Sequence, residues 1–173
     1  MKAYDEIWGL AEDNYGIITS AQAGALGVSR QNLQKMVRSG RLMRLCHGVY
    51  QVKHHVPHAN DVYAAAVAMA GEEAYLRGAS VIALLRLAPT DPAFIFVGAA
   101  NRVRRRLPEG YIVKDRTESS TTYYEGIRCQ MLIDALRDAR KDGVIEAERI
   151  AEAAELASEK GLLSDEEAAK FKN

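Results

Sequence analysis

The side chains with the clearest potential for chemistry are basic and amide groups in one acid-free window. Residues 14–60 contain no Asp or Glu, but they hold six Lys or Arg and all four His of the chain. Arginine and lysine bind phosphate oxygens, and arginine and glutamine also form paired hydrogen bonds with base edges. The whole chain is neutral, with 23 basic and 23 acidic residues, so the exclusion of acid is local. Such a window is typical of a surface that approaches a polyanion.

A helical pattern places several of these side chains on the outside of one helix. In VSRQNLQKMVRSG, Ser29 is a good N-cap, and Leu33, Met36 and Val37 form a single apolar stripe. The other faces carry Arg, Gln and Lys, which predicts contacts with phosphates or with the edges of G and A in a major groove. The predicted contact residues on this helix are Ser29, Arg30, Gln31, Gln34, Lys35 and Arg38.

Two preceding helices are predicted to hold this helix in place. Apolar residues at helical spacing indicate a first helix over about residues 3–14. Thr19 or Ser20 is the expected N-cap of a short helix in residues 21–27. Gly27 tolerates the left-handed conformation that joins it to the next helix. Two short helices with a glycine turn are the plan of a helix-turn-helix.

A hairpin is predicted directly after these helices. RLMRLCHGVYQV reads as two short strands joined at His47-Gly48, with Arg41 and Arg44 on the first strand. A hairpin in this position is a wing, which adds Arg41, Arg44 and His47 to the predicted contact surface. The plainer alternative is a small helical subdomain whose basic face is merely solvated.

The rest of the chain predicts a second domain of mixed α+β class. Pro57 and its polar neighbours suit a linker, so the expected domains are residues 1–55, a winged helix-turn-helix, and residues 59–173, a small sheet with C-terminal helices. Strands are expected in AFIFVGA, GYIVKDR and TYYEGIRCQ, with a turn at Glu125-Gly126. Helices are expected in ANDVYAAAVAMAG, GASVIALLRLA, MLIDALRDAR, IEAERIAEAAELASEKG and SDEEAAKF, with Val62 and Met131 among the buried residues.

A second group of basic residues lies inside this second domain. Arg102, Arg104, Arg105 and Arg106 follow the first predicted strand closely. One interpretation is a second patch that contacts phosphate. The other is a solvated loop, or a loop whose arginines pair with the acidic C-terminal helices, since residues 144–173 hold eight acids against four bases.

Metal and catalytic chemistry find little support in the sequence. His54, His55 and His58 lie close together, but a structural metal site wants about four ligands, and only Cys46 and His47 are near them in sequence. Nucleotidyl transfer would need a D-x-D or D-x-E pair on a strand, whereas Asp115 stands alone. We therefore expect no metal site, no cofactor and no enzymatic activity.

Composition points to a cytoplasmic protein. No apolar run approaches the roughly 18 residues that span a bilayer, and the N-terminus lacks the apolar region of a signal peptide. Cys46 and Cys129 are far apart and match no metal or redox spacing, which favours two reduced thiols.

Several short motifs resemble a known family. ITSAQA, GVSR, MVRSGRLMR and GVY closely resemble the N-terminal winged helix of AbiEi-type antitoxins, the antitoxin half of type IV toxin–antitoxin systems. AYLRGASVIALLRL, IFVG and RVRRRLP resemble the second domain of that family more weakly. The resemblance carries a DNA-contact role onto Ser29, Arg30, Gln31, Gln34, Lys35, Arg41 and Arg44. One departure is LCHGVY, where many relatives have a basic residue near Cys46 and His47.

The resemblance implies an autorepressor that binds double-stranded DNA upstream of its own operon, often at an inverted repeat. It also implies a functional partner, a nucleotidyltransferase-like toxin that such antitoxins counteract without a stable complex. The main rival is a protein-binding antitoxin or adaptor whose acidic C-terminal helices dock a basic partner. An enzyme acting on nucleic acid is the third reading, and the missing carboxylates disfavour it.

Overall fold

The chain forms helices and two separate sheets, one of three strands and one of five. The computed structural model describes residues 2–91 and 93–172. Packing divides the chain into two units: the first runs to Met69 and includes Arg105–Leu107, and the second holds Ala70–Arg104 and the residues from Pro108 onwards. The predicted α+β class is confirmed. The domain boundary expected between residues 55 and 59 stays a prediction, since compact packing does not establish which segment folds independently.

The first unit consists of four helices and a three-stranded antiparallel sheet. Its elements are α1 (Lys2–Glu12), β1 (Ile17–Thr19), α2 (Ser20–Ala25), α3 (Arg30–Arg38), β2 (Leu42–Cys46), β3 (Val49–Val52) and most of α4 (Asp61–Ala70). The sheet has the order β1-β3-β2. Thr19 caps α2 in a capping box: its side chain accepts from the N–H of Gln22, whose own side chain accepts from the N–H of Thr19.

The core of this unit joins the helices to the sheet. Ile7 and Ala11 lie one turn apart on α1 and are fully buried, as is Leu33 of α3. A fully buried side chain of the size of Ile or Leu contributes about 1.5–3 kcal/mol, so the shared core stabilises the positions of α1 and α3 in this unit. The buried cluster comprises Ile7, Ala11, Ile18, Ala23, Val28, Leu33, Leu42, Tyr50 and Val52.

The second unit is built on the five-stranded sheet. Its elements are β4 (Ala74–Leu76), α5 (Ala79–Leu84), β5 (Ile95–Ala99), β6 (Tyr111–Lys114), β7 (Thr121–Tyr124), β8 (Ile127–Gln130), α6 (Leu132–Asp142), α7 (Ala147–Glu159) and α8 (Asp165–Ala169). The strand order is β6-β5-β4-β8-β7. Glu125 and Gly126 both have positive φ, which confirms the predicted hairpin turn. In the described part of the chain, no helix is both long and apolar enough to cross a membrane.

Two short strands were not predicted from the sequence, and the burial of two side chains was predicted wrongly. β1 and β4 have three residues each, too few for an alternating pattern to be visible. Val62 is 51% exposed and Met131 is 42% exposed, although both were expected to be buried. In α4 the buried side chains are Ala66 and Met69, as the helical pattern predicts, together with Ala64 and Ala70. In an alanine-rich helix the apolar residues surround the axis, so the pattern does not specify the buried face.

Candidate nucleic-acid interface

The outer face of α3 carries five of the predicted contact residues. Ser29 caps the helix, since its Oγ accepts a 3.2 Å hydrogen bond from the N–H of Asn32, which confirms the predicted N-cap. Leu33 is buried, and Met36 and Val37 pack against the same core. The exposed contact residues are Arg30, Gln31, Gln34, Lys35 and Arg38. At about 100° per residue they occupy about 140° of arc on the side away from Leu33.

The turn before α3 fixes the position of this helix. Gly27 has a φ of +76°, in the left-handed region that other residues rarely adopt, as its predicted role requires. The N–H of Val28 then donates to the carbonyl oxygen of Ala23 at 2.9 Å, and both side chains are buried. The hydrogen bond and the packing together hold α2 and α3 in one arrangement.

The wing turn holds two of the predicted contact residues in a local network. β2 and β3 pair antiparallel, and the register shifts between Arg44 and Cys46. Gly48 has a φ of +77°, which confirms the turn at His47-Gly48. The Arg44 guanidinium donates to the carbonyl oxygen of Cys46 at 3.3 Å and lies 3.1 Å from Nδ1 of His47. Because arginine can only donate, Nδ1 of His47 is the acceptor, and the remaining N–H groups of Arg44 stay available to an anion.

Arg41 lies outside the strand on which the sequence placed it. β2 begins at Leu42, and Arg41 occupies the bend before that strand. The N–H of Arg41 donates to the carbonyl oxygen of Met36 at 2.9 Å, so it closes the end of α3. Its guanidinium carbon lies 5.3 Å from the centre of the Tyr4 ring. Arg41 is exposed and is oriented by this cation–π contact with α1.

The positive charges of α3, of Arg41 and of the wing are not compensated within the part of the chain that the structure describes. None of these basic side chains forms an ion pair with a carboxylate there. These side chains are Arg30, Lys35, Arg38, Arg41 and Arg44. Unpaired cations on one surface attract a polyanion at long range and release its counterions on contact.

His55 and His58 each form contacts of their own. Nε2 of His55 lies 2.9 Å from Oδ1 of Asp61, and both side chains are largely buried. Nδ1 of His58 accepts from the N–H of Asn60 at 3.1 Å, and the His58 ring packs against that of Tyr15. Over residues 2–91 and 93–172, no group of three or more potential ligands has the geometry to hold a metal ion.

The arginine-rich segment lies between β5 and β6. Arg102, Arg104, Arg105 and Arg106 are all exposed. No carboxylate of the described residues forms an ion pair with any of them. In the C-terminal helices, Glu155 pairs with Lys172 at 3.5 Å instead. Oδ2 of Asp115 accepts a 3.2 Å hydrogen bond from the N–H of Val103. Ion pairs between these arginines and the acidic helices, one of the alternatives that the sequence left open, are absent among the described residues.

The second unit contains an ion-pair network around a buried arginine, which the sequence did not reveal. The Arg77 side chain is 5% exposed, and its Nη2 donates to both Asp138 and Asp142 at 2.9 Å. Gln130 donates to Asp138 at 3.0 Å and accepts from the N–H of Gly78 at 3.1 Å. The available signal was the i, i+4 spacing of Asp138 and Asp142, which places both carboxylates on one face of a helix.

Hydrogen bonds keep one carboxylate of this network ionised. Burial acts to raise the pKa of Asp138, but hydrogen bonds from Gln130 and Arg77 outweigh it, so the pKa lies below its ordinary value. The carboxylate is therefore kept ionised by its arginine partner. A general acid needs a raised pKa, and Asp138 has the opposite.

The first unit belongs to a recognisable class. A helix, a short strand, two helices with a glycine turn and a two-stranded hairpin that completes a three-stranded sheet define a winged helix-turn-helix. In proteins with a helix-turn-helix, the second helix of the motif reads the major groove. Here that helix is α3, which carries the exposed cations and amides.

The family comparison agrees with this class. The model of a family described as "Transcriptional regulator, AbiEi antitoxin" matches residues 10–53. That stretch covers 44 of the 173 residues and contains α2, α3 and the wing. The resemblance predicted from the N-terminal motifs is thereby confirmed, and it is to a family of regulators rather than enzymes. The weaker resemblance of the second unit lies outside the match and stays a prediction. A search of curated proteins found no match.

Proposed function

We propose that the first unit binds double-stranded DNA, with α3 in the major groove and the wing against the neighbouring backbone. The observation that carries this proposal is the outer face of α3, where three cations and two amides are exposed without a carboxylate partner. The helix has nine residues and is therefore about 13 Å long. A major groove about 12 Å wide admits an α-helix, whose diameter with side chains is about 10–12 Å.

The position of each residue along α3 suggests its role. Arg30, Gln31 and Gln34 are assigned to base edges, because the N-terminal part of a recognition helix enters the groove most deeply. Arginine suits guanine and glutamine suits adenine. The residues assigned to phosphate are Ser29, Lys35, Arg38, Arg41, Arg44 and His47.

The biological role that follows is autorepression by an antitoxin. The family description supports a regulatory role. The resemblance adds an operator upstream of the protein's own operon, often an inverted repeat, and a nucleotidyltransferase-like toxin that is counteracted without stable contact. The protein acts by binding, so incubation of DNA or nucleotides with Mg²⁺ or Mn²⁺ should give no turnover that a point substitution abolishes.

The direct test compares a duplex from the upstream region with a shuffled duplex of equal length. Arg30→Ala or Gln31→Ala should weaken specific binding by about 1–3 kcal/mol if the side chain reads a base. Binding to the shuffled duplex should weaken less. Arg149→Ala is a matched control, since Arg149 is an exposed helical arginine on α7 in the second unit.

Three results would count against the proposal. Equal losses of affinity on both duplexes would show that Arg30 and Gln31 contact only the DNA backbone. An unchanged affinity in both variants would remove α3 from the interface. A protein that binds a basic toxin but neither duplex would favour docking through the acidic C-terminal helices.

A further inference from the structure

The four clustered arginines occupy two different environments. Arg102 and Arg104 belong to the second unit, whereas Arg105–Leu107 packs with the first unit. Within the first unit, Nη1 of Arg105 donates to the carbonyl oxygen of Met69 at 3.3 Å. In the sequence the four arginines form one group. In the structure Arg105 packs with the unit that contains the winged helix-turn-helix.

The other end of the Arg105 guanidinium lies beside the wing turn. Gly48 has no side chain, and Nη2 of Arg105 is 3.9 Å from the position that a Cβ atom would take there. Oγ of Ser20 lies 3.3 Å from the same position, and the N–H of Ser20 donates to the carbonyl oxygen of Gly48 at 2.8 Å. A guanidinium and a hydroxyl thus flank bare backbone, directly after His47.

We propose that Arg105 is part of the wing and contacts the sugar–phosphate backbone of duplex DNA. This inference rests on the proposed DNA binding of the first unit. An arginine has five N–H donors, and Arg105 uses one of them on Met69. Its side chain is exposed and has no carboxylate partner in the described part of the chain, so its charge is free to meet a phosphate.

The contact also accounts for the composition of the wing tip. LCHGVY lacks a basic residue other than His47 at the turn itself, where a cation would be expected to approach the backbone. Arg105 supplies that cation from a distant part of the chain. Gly48 places no side chain beside the guanidinium at the turn.

The experiment uses the full chain and a fluorescent 30-base-pair duplex of mixed sequence. Affinity is measured from about 50 to 200 mM NaCl for the wild type and for Arg105→Gln, Arg105→Lys and Arg102→Ala. The Gln variant keeps a donor for Met69 but loses the charge, and the Lys variant keeps the charge. Arg102→Ala removes one exposed arginine of the same loop from the second unit.

We expect Arg105→Gln to flatten the slope of log affinity against log salt by about 0.9, the value of one phosphate contact. Arg105→Lys and Arg102→Ala should keep the wild-type slope. A wild-type slope in Arg105→Gln overturns the inference while the proposed function stands. A loss shared equally by Arg102→Ala also overturns it, because the contact then belongs to the loop as a whole. A wild type that does not bind the duplex defeats the proposed function itself.

Discussion

Removing two cations from α3 should change the salt dependence of DNA binding by a calculable amount. Lys35 and Arg38, both assigned to phosphate, are exposed, lie on the outer face of the helix, and lack carboxylate partners among the described residues. The variant Lys35→Ala/Arg38→Ala replaces them with the residue of highest helix propensity. The buried stripe of α3 is untouched, so the fold should be retained.

The size of the effect follows from counterion release. Each neutralised phosphate adds about 0.9 to the slope of log affinity against log salt. The five unpaired cations of the surface therefore set an upper limit of about 4.5 for the winged helix-turn-helix, before any contribution from Arg105. Losing two of them should flatten the slope by about 1.8. Between 50 and 200 mM salt the wild type should then lose about tenfold more affinity than the variant.

Fluorescence anisotropy with a mixed-sequence duplex measures this slope without knowledge of the operator. The control is Arg149→Ala/Lys160→Ala, which removes two positive charges at α7 of the second unit. Circular dichroism and the melting temperature report whether each variant is folded.

The outcome can refute the assignment of the surface in two ways. If the control flattens the slope as much as the α3 variant, the effect comes from overall charge rather than from contact. If the α3 variant is folded and keeps the wild-type slope, then Lys35 and Arg38 do not contact phosphate, and the proposed docking of α3 is wrong.

Three further predictions concern the second unit and the thiols. Arg77→Met should lower the free energy of unfolding in urea by about 1–3 kcal/mol, because it removes the arginine partner of two carboxylates, those of Asp138 and Asp142, that are only 26% and 32% exposed; an unchanged free energy of unfolding would show that solvent already compensates them. The pKa of Asp138 is lowered by folding, so its contribution to stability is present above the unfolded pKa of about 3.9 and is lost as pH falls below it. Asp138→Asn should therefore be less stable than wild type at pH 7, and its melting temperature should fall less between pH 5 and 3; an equal fall would assign the acid sensitivity elsewhere. Burial raises the pKa of Cys129 to about 12, so one thiol, that of Cys46, should react with a thiol reagent at pH 8, and two should react in denaturant; two native reactive thiols would contradict the buried position.

The family motifs and the helix-turn-helix could be read from the chain because their signals are local. An N-cap at Ser29, a glycine at position 27 and an apolar stripe through Leu33 each act over a few residues, and the structure contains all three. The turns at His47-Gly48 and Glu125-Gly126 are equally local, since they depend on the conformation of two residues.

The positions of β1 and β4 could not be predicted in this way. Strands of three residues are stabilised by their neighbours in a sheet, and those neighbours are distant in sequence. The same reason applies to Arg41: its position depends on closing α3 and on the ring of Tyr4, which lies on α1.

The helices and turns of the winged helix-turn-helix, and the absence of acid around α3, could therefore be predicted from the sequence. Each of these depends on propensity, periodicity or composition over short distances. The use of the remaining charges depends on the tertiary structure. This structure buries Arg77 between Asp138 and Asp142, and it sets Arg105 beside Gly48, because in each case the partners are far apart in the chain and meet only when the chain folds.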